Sequence, residues 1–286
     1  MYIIYLFIIL YFVNTSHQWC KSTVGVTTCG NEILKKNTPL KVVDYKHLLE
    51  FQKGYIEEVP AGSFKLLPEV NILQLSNNVI KRLEEGSFDG LSQLQKLSLY
   101  NNQLESIQRG VFRNCINLKS LDLGLNRIKN IESNAFIDLS SLEELNLGFN
   151  SLQVIPGEIN QIKSLRTLKL NNNKINSITA NAFNSLSKLE LLDLSDNEIS
   201  SITNNAFTGL INLKELNLKS NYLSNLYVSN IVCDLRSLTV VKLSVNSFTC
   251  DTLNIIVNAF KRKGISVAKG FSKSRETVNG IGCKKI

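Results

Sequence analysis

The residues best equipped for chemistry in this chain are six cysteines and two histidines, and their spacing suits cross-linking better than catalysis. His17 and His47 stand alone. Neither belongs to an H-E-x-x-H pattern, and no two cysteines form the C-x-x-C spacing that would hold a metal. Gly280-Ile-Gly282 is an isolated G-x-G without the strand, turn and helix that dinucleotide binding requires, so it reads as turn chemistry beside Cys283. The acidic residues recur at exposed repeat positions with no supporting catalytic context around them. Catalysis needs positioned partners, so the sequence points away from an enzyme and from any cofactor.

Cross-linking by cysteine requires an oxidising compartment, and the start of the chain supplies the reason to expect one. After Met1, residues 2–13 form an apolar run of 12, followed by the polar stretch Asn14-Thr-Ser-His-Gln18. That run suits a secretory signal peptide over residues 1–18, cut between Asn14 and Trp19, and is short for a bilayer span of about 20 residues. No later apolar segment approaches that length, so the expected product is secreted, extracellular and without a transmembrane anchor. Position then points to pairing Cys20 with Cys29 in an N-terminal capping hairpin, and Cys250 with Cys283 in a C-terminal cap, although spacing alone does not fix connectivity. Outside the signal junction at Asn14 the chain has no Asn-x-Ser/Thr, so no N-linked glycan is expected on any face.

What would have to position these residues is a repeat. The stretch Leu94-Gln-Lys-Leu97-Ser-Leu99-Tyr-Asn-Asn102-Gln-Leu104 has the skeleton L-x-x-L-x-L-x-x-N-x-L, which returns with its asparagine at 78, 102, 126, 150, 173, 197, 221 and 246. The spacings are 24, 24, 24, 23, 24, 24 and 25. Alternating leucines such as Leu97 and Leu99 suit a short strand buried on one side. A strand so short needs its neighbours to cover it, which takes at least about three units. The asparagine should satisfy backbone groups where the chain leaves the sheet, and a bulky residue ten positions later (Phe88, Phe112, Phe136, Ile159, Phe183, Phe207, with Val232 closing) should form a core spine that Phe64 begins. The shortened unit, Ile155-Pro-Gly-Glu-Ile159, should have a tighter, flatter outer loop.

Over residues 46–249 this pattern resembles the leucine-rich repeat family. The resemblance implies an α/β solenoid, a horseshoe with a parallel concave β-sheet and eight full repeats. Residues 19–69 are expected to form an N-terminal cap with a degenerate first repeat in which Leu49, Phe51, Ile56, Val59 and Phe64 hold the right offsets but Gly54 replaces the asparagine. Residues 70–249 are the repeats and 250–286 a cysteine-flanked C-terminal cap. The transition Asn246-Ser-Phe248-Thr-Cys250-Asp251 resembles the caps of extracellular members, including Toll-like receptor ectodomains and secreted insect immune proteins. A helix containing Leu253, Ile255, Ile256, Ala259 and Phe260 should cover the last strand. Innate immunity or receptor signalling is the setting this resemblance implies.

The two remaining cysteines fall in different places. Cys115 takes the slot of Leu91, Leu139, Leu186 and Leu210 and should be a small buried hydrophobe, whereas Cys233 aligns with Thr208 on the outer surface. Five units apart, roughly 20 Å at the usual strand spacing, they are beyond the reach of a disulfide. Cys233 is left free, competing for a partner in the C-terminal cap, or bridging to a second chain in a disulfide-linked dimer.

Function is expected on the concave face, where side chains between the paired leucines project: Gln74, Ser98, Asp122, Asn146, Lys169, Asp193, Asn217 and Lys242. This polar, mixed-sign column suits a protein ligand or receptor more than a lipid. Just before the asparagine, Leu125 and Phe149 replace polar residues, and Tyr100 lies one unit away. They are either binding anchors or side chains folded back on the turn; Val245 fits the second reading, covered by the cap. The binding set expected here is Tyr100, Asp122, Leu125, Asn146, Phe149, Lys169 and Asp193. An alternative function is a glycan- or matrix-binding structural protein, because from Cys250 onward eight Lys or Arg face two acidic residues, the bulk of a formal net charge of +8. Lys261, Arg262 and Lys263 would then hold sulphated glycans or other anionic surfaces. Nucleic acid fits poorly with a secreted chain lacking a nucleic-acid fold.

Overall fold

The computed structural model of the chain describes residues 20–23, 26–29, 47–51, 56–270 and 276–285, the first two segments by backbone alone. The expected signal segment and Gly54 lie outside these residues, as do the side chains of Cys20 and Cys29.

The concave face is a 12-stranded sheet. In chain order its strands are β1 (Cys20–Thr23), β2 (Val26–Cys29), β3 (Leu48–Phe51), β4 (Ile72–Gln74), β5 (Lys96–Ser98) and β6 (Ser120–Asp122). These are followed by β7 (Glu144–Asn146), β8 (Thr167–Lys169), β9 (Leu191–Asp193), β10 (Glu215–Asn217), β11 (Val240–Lys242) and β12 (Ser266–Val267). β1 and β2 pair antiparallel, with Cys20 opposite Cys29; the later pairs are parallel. Register is strict, Leu97 beside Leu121 and Leu121 beside Leu145, so equivalent residues of successive units form straight rows. In β5, Leu97 is buried between exposed Lys96 and half-buried Ser98, the alternation that a one-sided strand demands.

Two internal columns hold the units together. The Asn126 carbonyl oxygen accepts the Leu104 N–H at 3.0 Å, and its amide donates to the Leu99 and Leu123 carbonyls at 3.0 and 3.1 Å. The same pattern recurs from Asn102 to Asn246. Buried backbone groups at each strand exit are thereby paired across units, as they must be away from water. On the outer side Phe64, Phe88, Phe112 and Phe136 stack at 5.8–6.2 Å between ring centroids. Phe183 and Phe207 stack at 6.2 Å beyond the interruption at buried Ile159.

The outer side is irregular where the sequence is. Short strand pairs such as Ser177–Ile178 with Ser201–Ile202 alternate with turns. The shortened unit forms a 3-10 helix over Gly157–Gln161. Gly90 has φ +95°, and a side chain there would meet the Lys65 backbone at 2.5 Å, so only glycine lets adjacent units approach. A short helix α1 (Val228–Asp234) ends the spine differently from expectation: Val228 and Ile231 are buried, whereas Val232 is only partly so. Helical pitch replaces the turn geometry of earlier units there, and the ten-residue offset no longer selects the inward position.

The C-terminal end is closed by α2 (Cys250–Arg262), capped by Thr249, whose hydroxyl accepts the Thr252 N–H at 3.2 Å. Leu253, Ile256, Val257 and Phe260 are buried at i, i+3, i+4 and i+7. Ile255 falls off that stripe and is 70% exposed, contrary to expectation. Cys250 and Cys283 form a disulfide with Cα atoms 4.9 Å apart, anchoring the helix to the chain's last described strand.

Candidate binding surface on the concave face

The column between the paired leucines is tied up internally. One oxygen of Asp122 accepts the Gly124 N–H at 2.9 Å and the Asn146 amide at 2.8 Å, and Asn146 in turn accepts the Gly148 N–H at 2.9 Å. Asp193 repeats the device with Ser195 N–H at 2.9 Å and the Asn217 amide at 2.9 Å. These half-buried groups form a pre-organised floor, each aspartate using one carboxylate oxygen for the contacts. Lys169, beside Asn146 in register, is exposed and makes no ion pair among the described residues.

At the edge of the sheet a row of charges alternates in sign. Arg166 sits 3.9 Å from Glu143 and also bonds Glu190, whose other oxygen is 2.5 Å from Lys214. The hydrogen bonds from Lys214 and Arg166 hold the Glu190 carboxyl below the usual carboxylate range.

The position before each ladder asparagine is the irregular feature of the lip. Asn77, Asn101, Leu125, Phe149, Asn172, Asp196, Ser220 and Val245 all have φ between 53° and 59°. From Asn77 to Ser220 this left-handed turn aims the N–H at the next unit: Leu125 N–H donates to the Gly148 carbonyl at 3.0 Å and Phe149 N–H to the Asn171 carbonyl at 2.8 Å. Asparagine tolerates that conformation; leucine and phenylalanine there cost on the order of 1–2 kcal/mol each. Both side chains stay partly open, Leu125 37% and Phe149 49% exposed, with Tyr100 at 37% on the adjacent row. Val245 is 54% exposed. The cap was expected to cover it, but α2 closes the core end of the last unit and leaves this lip open.

Beneath the apolar pair, neighbouring asparagine side chains fill the space beside the two buried glycines. Side chains grafted at Gly124 and Gly148 would meet Asn146 at 2.7 Å and Asn171 at 2.6 Å. The structure therefore brings Tyr100, Leu125 and Phe149 together around two glycines, over Asp122 and Asn146, with Lys169 alongside and Asp193 one strand further. Sequence reasoning missed the backbone strain, although the preference for Asn, Asp and Ser at this position was a legible sign of it.

The other expected site residues lie apart. Lys261, Arg262 and Lys263 close α2, where a helix C-terminus favours cations, which accounts for them structurally. Cys233 is exposed and unpaired on α1; Cys115 is buried, and burial pushes its thiol up to about 12. Two cavities of about 160 and 170 Å³ open on the outer side, one at Thr203, Tyr227 and Asn230, the other at Arg109, Arg113 and Asp138; neither reaches the concave patch.

Comparison with known proteins places this geometry. No curated protein matches the sequence. Among solved structures, TLR13 in a TLR13–ssRNA13 complex is similar at 28% identity and TM-score 0.67, over 70% of this chain and 28% of that one. The present chain thus spans about 28% of the TLR13 length. Human 5T4 (Wnt-activated inhibitory factor 1, trophoblast glycoprotein) is similar at 23% identity and TM-score 0.62, over 87% of each chain. A chain of the octameric complex of Latrophilin 3, Unc5D and FLRT2 (LRR) is similar at 22% identity and TM-score 0.63, over 92% of this chain and 95% of that one; both of the latter likenesses concern the fold alone. The model of the family described as "Leucine rich repeat" matches residues 48–104, 92–152 and 163–223, more than half the chain. With its in-register strands and asparagine ladder, the chain belongs to the leucine-rich repeat family.

Proposed function

We propose that this is a secreted, non-catalytic protein that captures a protein ligand or receptor on the concave lip at Tyr100, Leu125 and Phe149, and so modulates receptor signalling or innate immunity. The observation that carries this reading is the exposure of two apolar side chains held in a conformation unfavourable to them. Asparagine, found at three of the eight equivalent positions, suits this turn better than Leu or Phe, and backbone strain of this kind clusters at functional sites. Exposed aromatic and aliphatic groups over a pre-organised polar floor have the make-up of binding hot spots. Residues 1–18 as signal peptide, 19–69 and 250–286 as caps, and the extracellular setting complete the proposal. The likeness to TLR13, whose structure is that of a complex with ssRNA13, supports the coarser part of this reading, a solenoid that binds a ligand.

The test is capture from the protein's native fluid, with cross-linking mass spectrometry on the wild type and on a Leu125→Asn, Phe149→Asn variant. A partner cross-linked to strands β5 to β8 in the wild type and lost in the variant is expected. Equal capture by both chains overturns the proposal.

A further inference from the structure

The loops that lead into the last five strands, β8 to β12, carry cations in adjoining rows. Followed back into the loops, the strand register sets Lys163 beside Ser187, then Ile211, Arg236 and Arg262; one residue on, the row is Ser164, Lys188, Asn212, Ser237 and Lys263. The rows are fixed from within. The Ser164 hydroxyl donates to the Leu142 carbonyl at 2.7 Å, the Asn212 amide to the Ser187 carbonyl at 2.7 Å and the Ser237 hydroxyl to the Ile211 carbonyl at 2.8 Å. Lys163, Lys188, Arg236, Lys261, Arg262 and Lys263 are exposed and make no ion pair among the described residues. The carboxylates on this edge are few and taken. Glu190 is bonded by both Arg166 and Lys214, Glu143 lies 3.9 Å from Arg166, and Glu215 meets Lys242 at 2.5 Å. Asp234, half-buried at the end of α1, accepts the Thr208 hydroxyl at 3.4 Å. Asp251 opens α2, about 15 Å from the basic end of that helix. Glu276 stands at the same far end, its carbonyl bonded by the N–H of Cys283, the disulfide partner of Cys250. Asp193, Asp196 and Glu198 lie at the end of β9 and beyond it, toward the opposite ends of the strands.

We infer that this edge binds a linear sulphated polysaccharide laid across the strand-entry loops, its sulphate groups meeting Lys163, Lys188, Arg236 and the basic end of α2 in turn. A helix C-terminus accounts for Lys261 and Arg262. It does not account for Lys163, Lys188 and Arg236, which stand on loops one to four strands away. From Lys163 to Arg262 the track crosses four strand intervals, about 19 Å at the usual spacing, and cations recurring over that length match a polymer with recurring anions. A single-stranded nucleic acid would need aromatic faces for its bases to stack on, and these rows contain no aromatic residue. Membrane binding by an amphipathic edge buries large apolar side chains, of which these rows offer Ile211. The track precedes its strands whereas Leu125 and Phe149 follow theirs, so the polysaccharide leaves the lip open and the inference does not rest on the lip.

Calorimetric titration of the full chain with a heparin-derived dodecasaccharide tests this. Binding should weaken as salt rises, and the triple variant Lys163→Glu, Lys188→Glu, Arg236→Glu should lose about tenfold or more in affinity. The control Arg127→Glu, Lys174→Glu, Lys219→Glu makes the same charge change toward the other ends of the strands and should lose no more than about twofold. Equal weakening in both variants would reduce the effect to net charge and overturns the inference. So does the absence of binding, or desulphated heparin binding as tightly as the sulphated form. Tighter binding of an oligouridylate or of phosphatidylserine vesicles overturns the polysaccharide as occupant. Circular dichroism of each variant separates loss of binding from misfolding, and Lys163→Ser, Lys188→Ser, Arg236→Ser, expected to weaken binding in the same sense, replaces the charge reversal if that variant does not fold. None of these outcomes bears on capture at the lip.

Discussion

Phe149 stands one strand along from Leu125 on the same lip, both left-handed, with φ 56° and 53°, and both open to solvent. Replacing either by asparagine, the residue found at Asn77, Asn101 and Asn172 in the same conformation, should relieve strain without opening a cavity. Each substitution is expected to stabilise the fold by roughly 0.5–1 kcal/mol, below the full cost of a left-handed L-residue because exposed contacts are also lost. Thermal unfolding measures it. Stabilisation combined with loss of partner capture would mark these residues as retained for binding; destabilisation would show that they pack instead.

The asparagine ladder predicts the opposite sign. Asn150 accepts the Ile128 N–H at 2.9 Å and donates to the Leu123 and Leu147 carbonyls at 3.0 Å each. Asn150→Leu leaves those buried backbone groups unpaired, at about 1–3 kcal/mol per group. A loss of about 3 kcal/mol or more in urea unfolding is expected, larger than for most single substitutions in a stack of this kind. A loss under about 1 kcal/mol would mean that water reaches these groups.

How far the sequence carried the fold follows from which features repeat. Leu97, Leu99, Asn102 and Phe112 recur at one period, and recurrence converts a weak local preference into a firm assignment of strand, ladder and spine. Features that occur once were less legible. Val232 and Ile255 were misplaced because each lies in a helix that replaces the repeat's turns, so position had to be read from helical pitch that the 24-residue register does not encode. Leu125 and Phe149 were visible as exceptions, but their strain was not, because φ is a property of the turn and shows in sequence only through the asparagines around it.

The charged row predicts acid sensitivity. Glu190 is held below its ordinary value of 4.5 by hydrogen bonds from Lys214 and Arg166. A carboxylate with a depressed folded pKa contributes stability above the unfolded value and loses it as pH falls through the folded value. The contribution of Glu190 is therefore intact at neutral pH and disappears progressively below pH 4.5. Glu190→Gln should lower stability slightly at neutral pH and make its fall below that pH shallower, as read from chemical denaturation at several pH values. The same slope in both proteins would show that the row contributes nothing.

The C-terminal cap should depend on its cross-link. Cys250 and Cys283 are separated by 33 residues, and α2 covers the end of the core with Leu253, Ile256, Val257 and Phe260. For a loop of that length the chain-entropy estimate is about 3–4 kcal/mol. The Cys250→Ser, Cys283→Ser variant should lose that amount and, because units contact only their neighbours, should fray from the C-terminal end first. Hydrogen exchange followed by peptide mass spectrometry reads this directly, with early protection loss expected in β11, β12 and α2 while β5 to β7 stay protected. Uniform loss along the stack would mean that the cap nucleates the whole solenoid.

The two unpaired thiols should separate cleanly in reactivity. Cys115 is buried and its thiol is pushed up to about 12, chiefly by desolvation, so at pH 8 almost none of it is the nucleophilic thiolate. Cys233 is exposed on α1. Iodoacetamide applied to the native protein at mildly alkaline pH, followed by peptide mapping, should modify Cys233 within minutes and Cys115 only after denaturation. If Cys233 is instead protected in native secreted protein and becomes reactive on mild reduction, it is oxidised in the native state; a dimer lost under reducing conditions would identify a second chain as its partner. Parallel labelling of both thiols would mean that the unit around Cys115 opens locally, which its burial in the core argues against.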